Sequence, residues 1–310
     1  MNYNTTYNKI LTDENMMETI QHGSKEYPFH FYYDNLELFD FHCIEWHWHT
    51  EFEFVYVETG TVYFGISDKQ FVLSEGQGVF INSKILHRYF SQGKAIVPNF
   101  VLMPYFIAAQ DSLIYQKYVL PIMASPMDYQ IFSSDIPWQA QALSLMREMM
   151  VAQEKASDVE LVSSYLIQKI WHILYQNTDV EHMGKKENYS ASSQARLQLM
   201  MQYIHQKFAY NISLSDIADQ AKVSKSTALN LFQRYLGISP VTYLINYRLQ
   251  EAAKLLASTE KKVTVISKDT GFDNVDYFCK AFKKYYKLTP TKYRKKHNNV
   301  LTLNLTSMLL

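Results

Sequence analysis

Residues 214–240 read LSDIADQAKVSKSTALNLFQRYLGISP, and residues 263–290 read VTVISKDTGFDNVDYFCKAFKKYYKLTP. Laid over one another, Ile217 matches Ile266, Ala221 matches Thr270, Val223 matches Phe272 and Phe232 matches Phe282, with one extra residue in the turn of the second copy. Each copy closes on a hydroxyl residue and a proline, Ser239-Pro240 and Thr289-Pro290, which is how a helix N-cap and first helical residue read. The two stretches are a degenerate internal repeat with a period of about fifty residues.

Each copy spells a short helix, a tight turn and a second helix. Ser213 and Asp216 have the spacing of a capping box, and Ser224 is placed to cap the following helix. Ile217, Ala218 and Ala221 give the first helix a small-residue buried face. Val223 fills the turn, and Leu231 and Phe232 anchor the second helix. In the other copy Gly271 supplies the turn, Phe272 replaces Val223, and Phe278 and Phe282 are the anchors. The joining helix, about eighteen residues within PVTYLINYRLQEAAKLLAST, is about 27 Å long at 1.5 Å per residue. That length suits two recognition helices in successive major grooves, roughly 34 Å apart.

The charges of the 310-residue chain are equal in number but not evenly placed. Residues 191–298 hold 18 basic and 7 acidic residues, while residues 1–190 hold 12 and 23. A basic module that meets a polyanion is joined to an acidic module that does not. The only cysteines, Cys43 and Cys279, lie in different halves and do not make a disulfide framework. No signal-peptide core opens the chain, and the most apolar stretch, FVLMPYFIAA, is too short to span a bilayer. A cytoplasmic protein without a membrane partner is expected.

The stretches IADQAKVSKS, LFQRYLGISPVTYL, RLQEAAKLL and GFDNVDYFCKAFKKYYKLTPTKYR together resemble the DNA-binding domain of the AraC/XylS transcription regulators. The resemblance implies a pair of helix-turn-helix units over roughly the last hundred residues before the tail. This chain departs from the family pattern at Ala228, Asn230 and Lys287, where leucine, arginine and glycine are usual. Base contacts are expected from the outward start of each recognition helix: Ser226, Thr227 and Asn230 in the first, Asp276, Tyr277 and Lys280 in the second. Lys225, Arg234, Lys283 and Lys284 are expected at phosphates, which supply affinity without sequence.

The other half has a different period. From Phe39 to about Met103, short β-branched and aromatic runs (EFVYVETG, TVYFGIS, QFVLS, GVFIN, LHRYFS) alternate with turn signals, as in a sandwich or small barrel. Residues 1–30 are polar and weakly patterned. Beyond Pro137 the apolar spacing becomes helical, over about 136–154 and 158–176. Two readings of these helices stand: a cover for the barrel, or a dimer seam.

HWHTEFEFVYVETG, residues 47–60, resembles the first cupin motif, and GQGVFINSKILH, residues 76–87, the second, with Asn82 and Ser83 where a proline is usual. The spacing of His47 and His49 puts both on one face of a strand. The cupin resemblance implies a turn near Thr50-Glu51, with Glu53 on the next strand and His87 facing the same cavity. Three imidazoles and a carboxylate can hold iron, manganese, nickel or zinc, can contact an effector, or can be satisfied structural groups. Trp46 and Trp48, alternate to the histidines, read as packing.

The sequence therefore predicts an α+β chain of two domains. A cupin-like barrel with trailing helices, residues 1–176, would sense an effector and dimerise. A linker, 177–193, leads to an all-α double helix-turn-helix domain, 194–297, and a tail, 298–310. The expected function is DNA-binding transcriptional regulation, not catalysis, controlled by a small molecule, a sugar or sugar derivative, held by His47, His49, Glu53 and His87. The 24 tyrosines suit stacking on sugars. Double-stranded DNA, the effector, a second copy of the chain and RNA polymerase are the expected partners. No cofactor is required, a transition metal at the same four residues being the alternative. The competing function is a cupin metalloenzyme, a dioxygenase or isomerase, fused to a DNA-binding domain.

Overall fold

The computed structural model describes residues 10–13, 16–179 and 188–296. The tail read at 298–310, and residues 180–187 of the segment read as a linker, lie outside them. The chain divides into two compact units between Gln194 and Ala195.

The first unit is built on two antiparallel sheets. Its strands are β1 (Phe29–Asn35), β2 (Cys43–His47), β3 (Phe52–Tyr56), β4 (Thr61–Ile66), β5 (Lys69–Ser74), β6 (Gly78–Ile81), β7 (His87–Phe90), β8 (Ile96–Leu102) and β9 (Tyr129–Phe132). One sheet runs β1-β8-β3-β6-β9 and the other β2-β7-β4-β5. The helices are α1 (Leu120–Ala124), α2 (Pro137–Lys155) and α3 (Val159–Gln176).

The period-two rule explains how the layers stack. Every residue of β3 is buried, because the strand is covered on both faces. Phe52 and Phe54, with Phe80, Phe100 and Phe132 of neighbouring strands, face outward into a core shared with Leu143, Met146, Leu166, Ile170 and Leu174 of α2 and α3. Trp171 stacks on Phe52 at 4.9 Å between ring centres. Val55, Val79, Ile81 and Val97 face inward and meet Ile44, Val62, Phe64 and Tyr89 from the other sheet. Gly78 lets α2 approach: a Cβ there would stand 2.9 Å from Val55 O and 3.2 Å from Leu143. The paired helices thus cover the sheet, as the first of the two readings expected.

Three features depart from the expectation. β1 adds an edge strand that begins within the stretch read as weakly patterned, and it pairs with β8 from Phe29↔Leu102 to Asn35↔Ile96. β9, beyond the region read as barrel, extends the same sheet at β6. Helix α4 (Asn188–Lys207) begins inside the segment read as a linker. Its opening residues, NYSASS, carry no apolar repeat, so no period was there to read.

The second unit continues with α5 (Leu214–Gln220), α6 (Lys225–Leu236), α7 (Pro240–Ser258), α8 (Val263–Asp269) and α9 (Val275–Tyr286), and a last helix over 290–296. The expected caps form. Ser213 Oγ accepts from Asp216 N at 3.2 Å while Asp216 accepts from Ser213 N at 2.7 Å. Ser224 accepts from Thr227 N and Ser239 from Thr242 N, both at 3.1 Å. Asn274 caps α9 through Tyr277 N at 2.8 Å. Phe232, Phe278 and Phe282 are fully buried.

The turn of each repeat is left-handed, with φ 51° at Lys222 and 81° at Gly271. Arg248 of α7 closes over the second turn. It donates to Phe208 O at 2.7 Å and Tyr210 O at 2.8 Å, capping the carbonyls just beyond α4. Arg294 repeats the device, donating to Leu256 O of α7 and to Lys261 O. A Cβ on Gly271 would lie 2.6 Å from Phe208 O and 2.9 Å from Arg248 Nε. Gly271→Ala therefore combines a disfavoured φ with a backbone clash. It is expected to destabilise the second unit by on the order of 2 kcal/mol. Urea unfolding followed by circular dichroism measures the loss.

Candidate functional site

The two sheets enclose a cleft of about 430 Å³ including its open mouth. Its polar lining comes from five strands and the segment before them: Glu18, His22, Tyr32, Asp34, His47, His49, Glu53, Tyr89 and Asn99. His87 lies just behind this lining. The structure brings His47, His49, Glu53 and His87 together as the sequence expected, with one ligating atom of each within 4.8 Å of the others. All four are buried.

Strand register makes the cluster. β2 and β7 pair with a register shift between Ile44 and His47, and beyond it His47 stands directly opposite His87. A bulge of this kind re-aims a side chain that simple alternation would send elsewhere. The two imidazole centres are 4.2 Å apart. His49 lies just past the end of β2, its ring 5.7 Å from His47 and 5.1 Å from His87. Glu53 follows on β3, on the same inward face as Val55. Trp46 points the other way, over Gly65, with Arg88 5.6 Å from its ring.

His47 Nδ1 lies 2.8 Å from Glu45 O, and His87 Nδ1 2.8 Å from Ile85 O. A carbonyl only accepts, so Nδ1 carries the proton in both rings and Nε2 faces the cluster. Glu53 Oε2 lies 2.9 Å from His87 Nε2 and 3.4 Å from His49 Nε2, and Glu53 Oε1 accepts from Tyr89 OH at 3.2 Å. The His87 contact has the length of a hydrogen bond but not its alignment, so its attraction is chiefly Coulombic.

Burial alone would raise the Glu53 pKa. The His87 charge, with His49, outweighs it and holds the carboxyl well below its ordinary range. Burial alone would lower the His87 pKa, and Glu53 reverses the sign. Burial, reinforced by His87, drives His47 down to about 3. Burial and the Glu53 charge push the Tyr89 hydroxyl well up.

Glu18 and His22 were missed in the sequence. Glu18 Oε2 lies 3.2 Å from His22 Nε2 and 3.8 Å from His47 Nε2, and His22 Nδ1 is 2.9 Å from Tyr32 OH. Their only signal was an acid and a histidine four apart in a polar stretch. What places them is long-range pairing: Glu18 N donates to Trp48 O at 2.9 Å and Trp48 N to Met16 O at 3.0 Å. Burial would raise the Glu18 pKa, but the bond to His22 and the nearby histidines lower it. The Glu18 bond likewise overcomes burial to raise His22.

On the helical unit, Ser226 and Asn230 are exposed on α6, and Asp276, Tyr277 and Lys280 on α9. Lys225, Arg234, Lys283 and Lys284 are exposed as well. Thr227 is half-buried, and its hydroxyl lies 2.9 Å from that of Ser224, so it also serves the helix cap. Leu229 and Gln233, not singled out in the sequence, are exposed on α6 beside Ser226 and Asn230. Their positions three and four residues along the helix were the available signal.

A barrel with a buried polar cleft and a twice-repeated helix-turn-helix define a DNA-binding regulator with a ligand-binding domain. A family model for an AraC-like ligand binding domain matches residues 39–170, and one for a helix-turn-helix domain matches residues 217–296. The HTH-type transcriptional regulator YdeC of Bacillus subtilis (strain 168) is 28% identical over 293 residues, 92% of this chain and 98% of that protein. The melibiose operon regulatory protein of Escherichia coli (strain K12) is 27% identical over 123 residues, 40% of each chain. The crystal structure of an AraC-type regulator from Chromobacterium violaceum is 29% identical, covering 34% of this chain and 96% of that one, with a TM-score of 0.33. The chain belongs to the AraC family of DNA-binding transcriptional regulators. Among the described residues no helix is long and apolar enough to cross a membrane.

The Glu53–His87 pair sets a pH window. The lowered carboxyl stabilises the fold above its unfolded pKa, and that is lost as pH falls through the folded value. The raised imidazole stabilises below its unfolded pKa, and that is lost as pH rises through the folded value. Both contributions are complete between the ordinary values of the two groups, 4.5 and 6.5. In chelator-treated protein, Glu53→Gln is expected to lower the His87 pKa, since the strongest opposition to burial is removed and only the Ile85 carbonyl and the Glu18 charge still oppose it. Histidine NMR titration reads the change.

Proposed function

We propose that this regulator binds a small polyhydroxyl effector, a sugar or sugar derivative, in the barrel, and that the effector alters how the paired helix-turn-helix units engage promoter DNA. The observation that carries the reading is the buried cleft whose walls hold carboxylates, imidazoles, an amide and tyrosines, a donor and acceptor set that suits hydroxyl groups. The name of one relative, the melibiose operon regulatory protein, supports the sugar class. The barrel acts as a receptor without catalysis in a cytoplasmic protein. A second copy of the chain and RNA polymerase are its further partners.

On DNA, Asn230 pairs with adenine and Lys280 with guanine, Ser226, Thr227, Asp276 and Tyr277 adjoin the bases, and Leu229 offers an apolar surface for a thymine methyl. Lys225, Arg234, Lys283 and Lys284 take phosphates. An effector shifts DNA affinity only by its differential affinity for the two arrangements of the protein.

The test is DNA binding by the full-length protein with and without a panel of mono- and disaccharides. At least one sugar is expected to raise the melting temperature of the barrel and to change DNA affinity about tenfold, or 1.4 kcal/mol. A panel that leaves both unchanged overturns the sugar class. Lys280→Ala is expected to cost about 1–3 kcal/mol and relax specificity at one base pair. Lys283→Ala should instead weaken all sequences alike and reduce the salt slope by about 1. Fluorescence anisotropy at several salt concentrations separates the two effects.

A further inference from the structure

Two reading helices on one chain help each other only if both can lie in the duplex at once. Linking two sites multiplies affinity when geometry permits both contacts, and gains nothing when it does not. A joining helix alone leaves that geometry open, because a helical unit can pivot at either of its ends. The second unit of the fold carries a further connection.

It begins at the end of α4. The His205 ring stacks on Tyr247 of α7 at 4.1 Å between centres, and its Nε2 lies 2.8 Å from the Tyr243 hydroxyl. Phe208 meets Tyr247 edge-on at 5.3 Å. The end of α4 is thereby seated on the joining helix beside Arg248. Arg248 then donates from Nε to Phe208 O at 2.7 Å and from a terminal nitrogen to Tyr210 O at 2.8 Å. Those carbonyls lie a few residues before α5, where the first helix-turn-helix starts.

The same guanidinium meets the second helix-turn-helix. Its carbon stands 5.8 Å from the centre of the Phe272 ring. Gly271 leaves room for the approach, since a Cβ there would lie 2.9 Å from Arg248 Nε and 2.6 Å from Phe208 O. The turn between α8 and α9 is therefore in close contact with the chain that leads into α5. Burial works against the Arg248 charge, and Asp273, with Tyr277, supports it. Asp273 follows the turn, and Tyr277 stands in the first turn of α9 with its ring 6.2 Å from that of Phe272. Lysine would keep a charge at the end of a flexible stem, without the planar fork that grips two carbonyls and lies against a ring.

We propose that Arg248 is a positioning residue for DNA recognition: its guanidinium locks the turn of the second helix-turn-helix against the chain entering the first, and so fixes the spacing and rotation of α6 and α9 on the duplex. The proposal rests on the reading of α6 and α9 as the helices that contact bases, and adds what holds them in step.

The experiment uses full-length protein and a duplex that it selects from a random pool. Asn230→Ala and Lys280→Ala, each relaxing the preference at its own base pair, assign the two parts of that duplex to α6 and α9. A second duplex carries one base pair inserted between the parts, which moves them about 3.4 Å along the axis and about 34° around it. Fluorescence anisotropy gives the ratio of the two affinities for each protein. The folded fraction cancels in that ratio, so a loss of stability alone does not move it. Wild type is expected to prefer the selected duplex by at least about tenfold, and Arg248→Lys by less than about threefold, because loosened units follow the insertion. An unchanged ratio in Arg248→Lys overturns the proposal, as does a wild type that binds both duplexes alike. If circular dichroism shows Arg248→Lys unfolded, Asp273→Asn takes its place. A lowered ratio is expected there too, and an unchanged one again overturns the proposal. If neither Asn230→Ala nor Lys280→Ala alters base preference, the reading of α6 and α9 fails and the proposal with it. Altered preference with an unchanged ratio sinks the role of Arg248 alone.

Discussion

A carboxylate almost without access to water lies inside the barrel, and the architecture around it answers to that fact. Glu53 is 3% exposed. An isolated ion at such a place costs several kcal/mol, so the fold must surround it with compensating groups or not form. His87, His49 and Tyr89 provide them, from a strand, a loop and a strand of the opposite sheet. Their convergence requires the register shift in β2, the direct pairing of His47 with His87, and the approach of the two sheets. Once those are in place the inward faces of β3, β6 and β8 have no choice of orientation, and the outward phenylalanines are committed to α2 and α3.

The helical unit obeys a constraint of backbone rather than charge. Each repeat needs a left-handed residue in its turn, Lys222 or Gly271, and each is preceded by a helix whose end is closed by an arginine from further along the chain. Arg248 therefore belongs to both repeats. It lies on the helix that joins them, caps the chain beyond α4, and stands 5.8 Å from the ring of Phe272 in the second turn. One long helix with such contacts at both repeats is a rigid spacer between them. Lys287 repeats the economy at the end of α9. It adopts φ 58°, where Gly237 has 68° at the end of α6.

The two units divide the physical work. The acidic one spends its burial on a pocket whose polar atoms must be paired. The basic one keeps its lysines outside and buries small and aromatic residues, so that short helices can cross closely. The exposed face of α6 is mostly uncharged, with Ser226, Leu229, Asn230 and Gln233, while α9 carries Asp276, Lys280, Lys283 and Lys284. The two recognition helices are thus unequal in what they offer to DNA. Contacts to base edges and methyls suit the first, and charge the second.

Much of this was legible in the chain itself. The repeat, its caps and anchors follow from residues a few positions apart, because helix period and capping are local properties. The four cluster residues were legible for the same reason, as two short motifs at recognisable spacing. β1, β9 and the first turns of α4 were not, since an edge strand or a polar helix start depends on its partner more than on its own pattern. Glu18 and His22 show the limit most clearly. Within the first thirty residues only an acid and a histidine four apart mark them, and they reach the pocket because backbone bonds to Met16 and Glu18 tie their segment to Trp48. The sequence alone determined the two-domain class, the double helix-turn-helix and the identity of the central histidines. Only tertiary structure decided the tautomers of those histidines, the charge on Glu53 and the second carboxylate beside them, because each depends on a through-space distance between distant parts of the chain.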